Sequence, residues 1–154
     1  MPTSDAKFPE TYRLDPVLDF MRLLWSVQHG LQRHSKRMES HLGVTGPQRL
    51  VLRIVGQFPG VSAGELAHIL RLHPSTLTGI LQRLVARGLL TRETDPSDNR
   101  RIRLRLRARG RNFTRYRSGT VERVVTQALG RISPMKLRGA HEVLAAIAER
   151  LNAF

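Results

Sequence analysis

Between Arg92 and Gly110 the chain reads Arg-Glu-Thr-Asp-Pro-Ser-Asp-Asn-Arg-Arg-Ile-Arg-Leu-Arg-Leu-Arg-Ala-Arg-Gly, and this run narrows the folds open to it more than any other. Asp95-Pro96-Ser97-Asp98-Asn99 is turn chemistry: proline presets its own φ, and Asp and Asn side chains bond back to their own backbone. After the turn, Ile102, Leu104 and Leu106 alternate with Arg101, Arg103, Arg105 and Arg107. A period of two puts the aliphatic groups on one face of a strand and the guanidinium groups on the other. The segment therefore predicts a hairpin whose second strand hides one face and offers a cationic one, a shape suited to lie against a polyanion.

The rest of the composition points the same way. Lys plus Arg number 26 against 12 Asp plus Glu, a formal net charge of +14, and lysine occurs only at Lys7, Lys36 and Lys136. Arginine is the residue of bidentate phosphate and guanine contacts. An excess of it favours a nucleic-acid partner and, more weakly, an anionic membrane surface. The absence of cysteine excludes disulfides, thiolate zinc sites and thiol redox switches. No apolar run approaches the roughly 20 residues of a membrane span. Met1 to Glu10 is polar, without a signal core, and reads as a short loose arm. A single cytoplasmic domain is the expectation for 154 residues of this kind.

Apolar periodicity and capping residues predict six helices. The first, 14–42, carries Val17, Phe20, Met21, Leu24, Val27, Leu31 and Met38 at helical spacing and stops at Gly43. Thr45 and Gln48 form a capping box for a second helix, 45–58, and Ser62 and Glu65 form another for a third, 62–70. Pro74 opens a fourth, 74–87, which buries Leu77, Ile80, Leu81, Leu84 and Val85. A fifth runs from Ala108 or Arg109 to about Gly130, and a sixth from Ser133-Pro134 to near Phe154. In the sixth, Leu137, Leu144 and Leu151 lie seven apart, as do Ala140, Ile147 and Phe154, a seam suited to another helix. The fold class is mainly α with a small β-hairpin.

A short helix, a tight turn, a second helix and a basic hairpin make a winged helix-turn-helix. In that motif the second helix enters the major groove, its N-terminal residues toward base edges. Here its outer side carries Ser75, Thr76, Thr78, Gln82 and Arg83, small or hydrogen-bonding as base reading requires. Gly79 costs about 1 kcal/mol of helix propensity. It either lets the helix backbone approach DNA or is a tolerated glycine on a solvent face. Arginines from Arg100 to Arg111 suit phosphate contact as a set, though alternate strand positions cannot all face one groove. Arg100, nearest the turn, is the candidate for insertion into a narrow minor groove, with Asp98, Arg101 and Arg103 beside it.

Several segments together resemble the MarR family of bacterial transcriptional regulators. They are Leu-Gly-Val-Thr-Gly-Pro-Gln at 42–48, Glu65-Leu66-Ala67, Pro74-Ser75-Thr76-Leu77-Thr78, Leu84 to Leu90 followed by Arg92, and Asp95 to Arg101 with Gly110. The resemblance covers nearly the whole chain. The family commonly shows Asp-Pro-x-Asp-Arg-Arg in the wing, then an aliphatic strand ending Leu-Thr-x-x-Gly. Here Asn99 replaces the first Arg and Arg107 replaces the Thr, while the wing-tip aspartate–arginine pair is kept as Asp98 and Arg100.

The resemblance implies a winged helix-turn-helix lobe, 45–107, flanked by dimerisation helices at 14–42 and 108–154. It implies a homodimer on a pseudo-palindromic DNA duplex, with half-sites about one turn, ~34 Å, apart. Val17, Phe20 and Leu24 would join Leu137, Ala140, Leu144, Ile147, Leu151 and Phe154 in the dimer interface. Family members usually repress transcription, and many release DNA on binding a small aromatic or phenolic acid between the dimerisation helices and the lobe. Trp25, His29, Arg33 and Arg49 are candidates to line such a pocket; the competing reading puts Trp25 in the dimer core and leaves His29 a satisfied polar residue.

Two other classes of function compete. An RNA-binding or architectural protein would share the charge, but single-strand RNA modules stack bases on exposed aromatics, and at 5% the aromatics here are sparse and do not cluster on a strand. An enzyme is not expected: Ser, His and Asp occur in no activating arrangement, and no glycine-rich phosphate loop is present. His34 and His41 stand seven apart, but without His-Glu-x-x-His and with His68, His73 and His141 isolated, no metal or cofactor is expected.

Overall fold

Asp15 opens the first helix, its carboxylate accepting the amides of Val17 and Leu18 at 2.9 and 3.2 Å while Pro16 takes the first helical position. Helix α1 (Pro16–Leu42) ends at Gly43, whose φ of 75° is the left-handed conformation open to glycine. Both capping boxes form, at the starts of α2 (Gly46–Gln57) and α3 (Ala63–Leu70). The turn into α4 (Pro74–Ala86) closes through Arg71, itself left-handed at φ 51°. The hairpin of β1 (Leu90–Asp95) and β2 (Asp98–Leu106) follows, then α5 (Ala108–Arg115), α6 (Val121–Leu129) and α7 (Pro134–Leu151). These elements come from a computed structural model that describes residues 13–153; the expected arm at Met1 to Glu10 and the seam residue Phe154 lie outside them. No helix of the described residues is long and apolar enough to cross a membrane.

The core lies entirely in the middle of the chain. Val51, Leu52 and Val55 of α2, Leu66 of α3, and Leu77, Leu81 and Leu84 of α4 close on Leu90 and Leu104 of the hairpin. The antiparallel strands pair Leu90 with Leu106, Arg92 with Leu104 and Thr94 with Ile102, and the register slips between Thr94 and Asp95. A third extended piece joins them: Gly60 N donates to Leu104 O at 2.9 Å, and Leu104 N to Val61 O at 3.0 Å. Phe58-Pro59-Gly60 reads in the sequence as a helix end, which gives no sign of this pairing. By contrast α6 and α7 bury no residue at all.

Two expectations are corrected here. The fifth helix does not run from 108 to 130; residues 116–120 divide it into α5 and α6. Gly119 adopts φ 69°, Thr120 caps α6 by accepting the amide of Arg123, and the buried Arg49 takes the carbonyls of Phe113 and Tyr116 that a continuous helix would have used. The aliphatic face of β2 is also not uniformly hidden. Leu104 is fully buried, whereas Ile102 is 43% exposed, because the hairpin projects past the core toward its tip.

Candidate nucleic-acid interface

Helix α4 stands with one apolar side in the core and the other in solvent. Its first turn is capped by His73, whose Nδ1 accepts the Ser75 amide at 3.2 Å and lies 2.7 Å from Ser75 Oγ. Pro74 supplies the second element of the start. Ser75, Thr76, Thr78, Gln82 and Arg83 are all exposed, on the side opposite Leu77, Leu81 and Leu84. They are the exposed hydrogen-bonding face expected of them. Thr78 differs in one respect: its hydroxyl donates to Pro74 O at 2.8 Å, which leaves lone pairs and a methyl group for a partner. Nothing lies within 4 Å of where a side chain at Gly79 would begin, so the fold itself does not require glycine there.

The wing is organised around a buried carboxylate that the sequence reading did not single out. Asp95 is 2% exposed. Its Oδ1 accepts the Ser97 hydroxyl at 2.7 Å and the Ser97 amide at 2.8 Å, and its Oδ2 accepts Arg103 Nε at 2.7 Å. The Ser97 hydroxyl and amide, and then the Arg103 guanidinium, push the Asp95 carboxyl down to about 2 from its ordinary 3.8. Since the folded value is depressed, the stability this group contributes is fully present above pH ~4 and is lost as pH falls toward 2. In an acid titration the Ser97 amide resonance should therefore move across that window. In Asp95→Asn it should not, and an unchanged profile in the variant would break the assignment.

The arginines of β2 divide by partner. Arg101 meets Asp98 at 3.3 Å, Arg103 meets Asp95 at 2.6 Å, and Arg105 meets Glu93 at 3.1 Å. The wing-tip pair is thus not Asp98 with the Arg100 side chain: Asp98 accepts the Arg100 backbone amide at 3.0 Å and its ion pair is with Arg101. Among the described residues no carboxylate engages the guanidinium of Arg100, Arg92 or Arg83. Exposed pairs such as Arg101–Asp98 are worth about 0–1 kcal/mol, so Arg101 can exchange its carboxylate for a phosphate. Arg103, fixed on a buried Asp95, serves the hairpin first.

The four ligand candidates are not brought together. Trp25, His29 and Arg33 are exposed along α1, Trp25 at 62%. Arg49 is buried and fully used: Nε donates to both carboxylate oxygens of Glu122 at 2.8 and 2.9 Å, and the two terminal nitrogens donate to Phe113 O and Tyr116 O. It is a tie between α2, the end of α5 and the start of α6, not a pocket wall. An arginine four residues after a threonine cap gives no sign of this; only the partners, more than sixty positions on, define it.

The dimer candidates lie on uncovered surface. Val17 is 66% exposed and Phe20 38%, with Leu24 intermediate on the same helix. On α7, Leu137, Ala140, Leu144 and Leu151 are exposed and Ile147 is intermediate. Large apolar side chains left exposed along two helices mark a candidate contact surface.

Comparison with known proteins agrees with this geometry. A family model described as MarR family matches residues 42–101, which run from the end of α1 to the middle of the wing. The transcriptional regulator HosA of Escherichia coli O111:H- is 33% identical over 103 residues, 66% of this chain and 76% of that one. An HTH-type transcriptional repressor of Mycobacterium tuberculosis is 29% identical over 116 residues, 75% and 84% of the respective chains. The solved complex of S. aureus MepR with DNA superposes with a TM-score of 0.72 over 89% of this chain and 99% of that one; at 17% identity this establishes the fold.

Proposed function

This chain belongs to the MarR family of transcriptional regulators, and from that premise we propose that it is a homodimeric repressor that reads a two-fold-related DNA site. Helix α4 enters the major groove, and Ser75, Thr76, Gln82 and Arg83 read base edges with the backbone at Gly79 drawn close. The wing lies on the flanking minor groove with Arg100 inserted, Arg101 on phosphate, and Asp98 and Arg103 setting the shape of the tip. Residues 45–107 form the reading lobe; α1 and the helices after residue 108 join two copies through Val17, Phe20, Leu24 and the α7 seam. The observation that carries the reading is the combination of one exposed hydrogen-bonding helix face with a wing tip at which Arg100, among the described residues, has no carboxylate partner. Support for repression comes from the Mycobacterium tuberculosis relative, itself a repressor.

Selection of bound sequences from a random duplex pool at near-physiological salt tests this directly. A two-fold motif with half-sites about one turn apart is expected. Tight binding with no enriched motif would replace the reading with that of an architectural protein, its affinity set by counterion release alone.

Gly79→Ala separates fold from contact. With open space around it, the variant should be more stable by about 1 kcal/mol. On the selected site it should nonetheless bind roughly tenfold more weakly, because a methyl group intrudes between helix and groove. Unchanged affinity in a fluorescence anisotropy titration would remove Gly79 from the interface.

A further inference from the structure

The arginine run does not end with the wing. Arg107, Arg111 and Arg115 fall four apart at the start, middle and end of α5, and all three are exposed. Gly110 is buried and Phe113 and Thr114 are half-buried on the neighbouring side of the helix, while the three arginines, spaced i, i+4 and i+8, form one exposed stripe. Like charges at this spacing destabilise a helix. The first turn carries no acidic residue, and Arg107 makes no side-chain capping bond.

Among the described residues no carboxylate pairs with the stripe. The elements packed most closely on α5 are α2, which contains no acidic residue, and β2, whose only one is Asp98 at the far tip, already paired with Arg101. No acidic residue occurs between Asp98 and Glu122, and Glu122 belongs to Arg49. Within the stripe the one side-chain hydrogen bond is Arg111 Nη1 to Leu106 O at 2.9 Å. The stripe costs stability within the chain, and its charge is complementary to a row of phosphates.

We propose that Arg107, Arg111 and Arg115 form a second phosphate-binding surface, which receives the DNA flanking each half-site as it curves past the wing. The inference rests on the reading of α4 and the wing given above. The stripe begins at the wing base, the length of β2 or roughly 26 Å from the turn. A duplex held at α4 and the wing tip would have to bend toward the wing base for its flank to reach the stripe. The same duplex is favoured over a second one because, once the site is bound, its flanks are held at high effective concentration. Each protomer of a dimer would carry one stripe on its outer side.

The test compares two duplexes holding the selected site. One ends at the half-sites; the other extends by about 20 base pairs, or two turns, on each side. Wild type should bind the extended duplex about tenfold more tightly at near-physiological salt. Arg111→Gln/Arg115→Gln should lose most of that gain and, on the extended duplex, show a log–log salt slope shallower by about 2 per protomer. Arg111→Lys/Arg115→Lys, which keeps the charge, should retain the gain, and melting curves of both variants show that the fold is kept. An equal gain in wild type and the Gln variant, its absence from wild type, or its loss in the Lys variant would overturn the proposal. Absence of any preferred sequence on either duplex would overturn the reading beneath it, and this inference with it.

Discussion

Gly110→Ala should cost about 3 kcal/mol or more and leave little folded protein at 37 °C. Gly110 is buried where α5 crosses the entrance to β1, and a Cβ there would land on the carbonyl oxygen of Leu89. That oxygen cannot retreat: it accepts the Arg107 amide at 3.0 Å, and Leu89 is fully buried. The collision is with backbone, so rotamer changes give no relief. Gly64→Ala is the matched control. It too lies in a helix, but with nothing within 4 Å, and it should stabilise by about 0.5–1 kcal/mol. Thermal denaturation followed by circular dichroism reads both. A Gly110→Ala melting temperature within ~2 °C of wild type would mean that α5 and β1 do not approach as described.

Arg49→Met should be nearly as damaging, at about 3 kcal/mol. Methionine keeps most of the apolar packing of the stem but abandons the carbonyls of Phe113 and Tyr116 and leaves Glu122 without its partner. Arg49→Lys should rescue little, since an ammonium cannot span three acceptors laid out for a planar fork. Glu122→Gln should cost only about 1 kcal/mol, because its side chain is 39% exposed and solvent takes over. The ordering of the three variants in urea denaturation carries the argument. A Glu122 variant as unstable as Arg49→Met would place the weight on the ion pair rather than on the carbonyls.

Much of this fold was legible in the sequence because its signals are local. Thr45 with Gln48, Ser62 with Glu65, Pro74, and Ser133 with Pro134 each mark a helix start within three residues, and all four starts hold within a residue. The wing was legible because Asp95-Pro96 and the Arg/Leu alternation are local as well. The break at 116–120 was missed although Ser118-Gly119-Thr120 is a stop followed by a cap; apolar positions on either side kept a helical rhythm and outweighed it. Arg49 was misjudged for a different reason: its acceptors lie 64, 67 and 73 positions away, and two are backbone carbonyls with no sequence signature. On the wing, the burial of Asp95 was not legible because turn chemistry says which residues bend a chain, not which one becomes buried.

The pairing of Gly60 and Val61 with Leu104 ties the wing to the approach of α3, while α4 packs on both α3 and β1. The helix proposed to read the groove and the wing proposed to clamp it are therefore held to one another, like the two points of a fixed gauge. On the proposed reading, an operator with a base pair inserted between a half-site and its flanking minor groove would find no spring in the lobe to absorb the change, so the distance would be tolerated or refused as a whole.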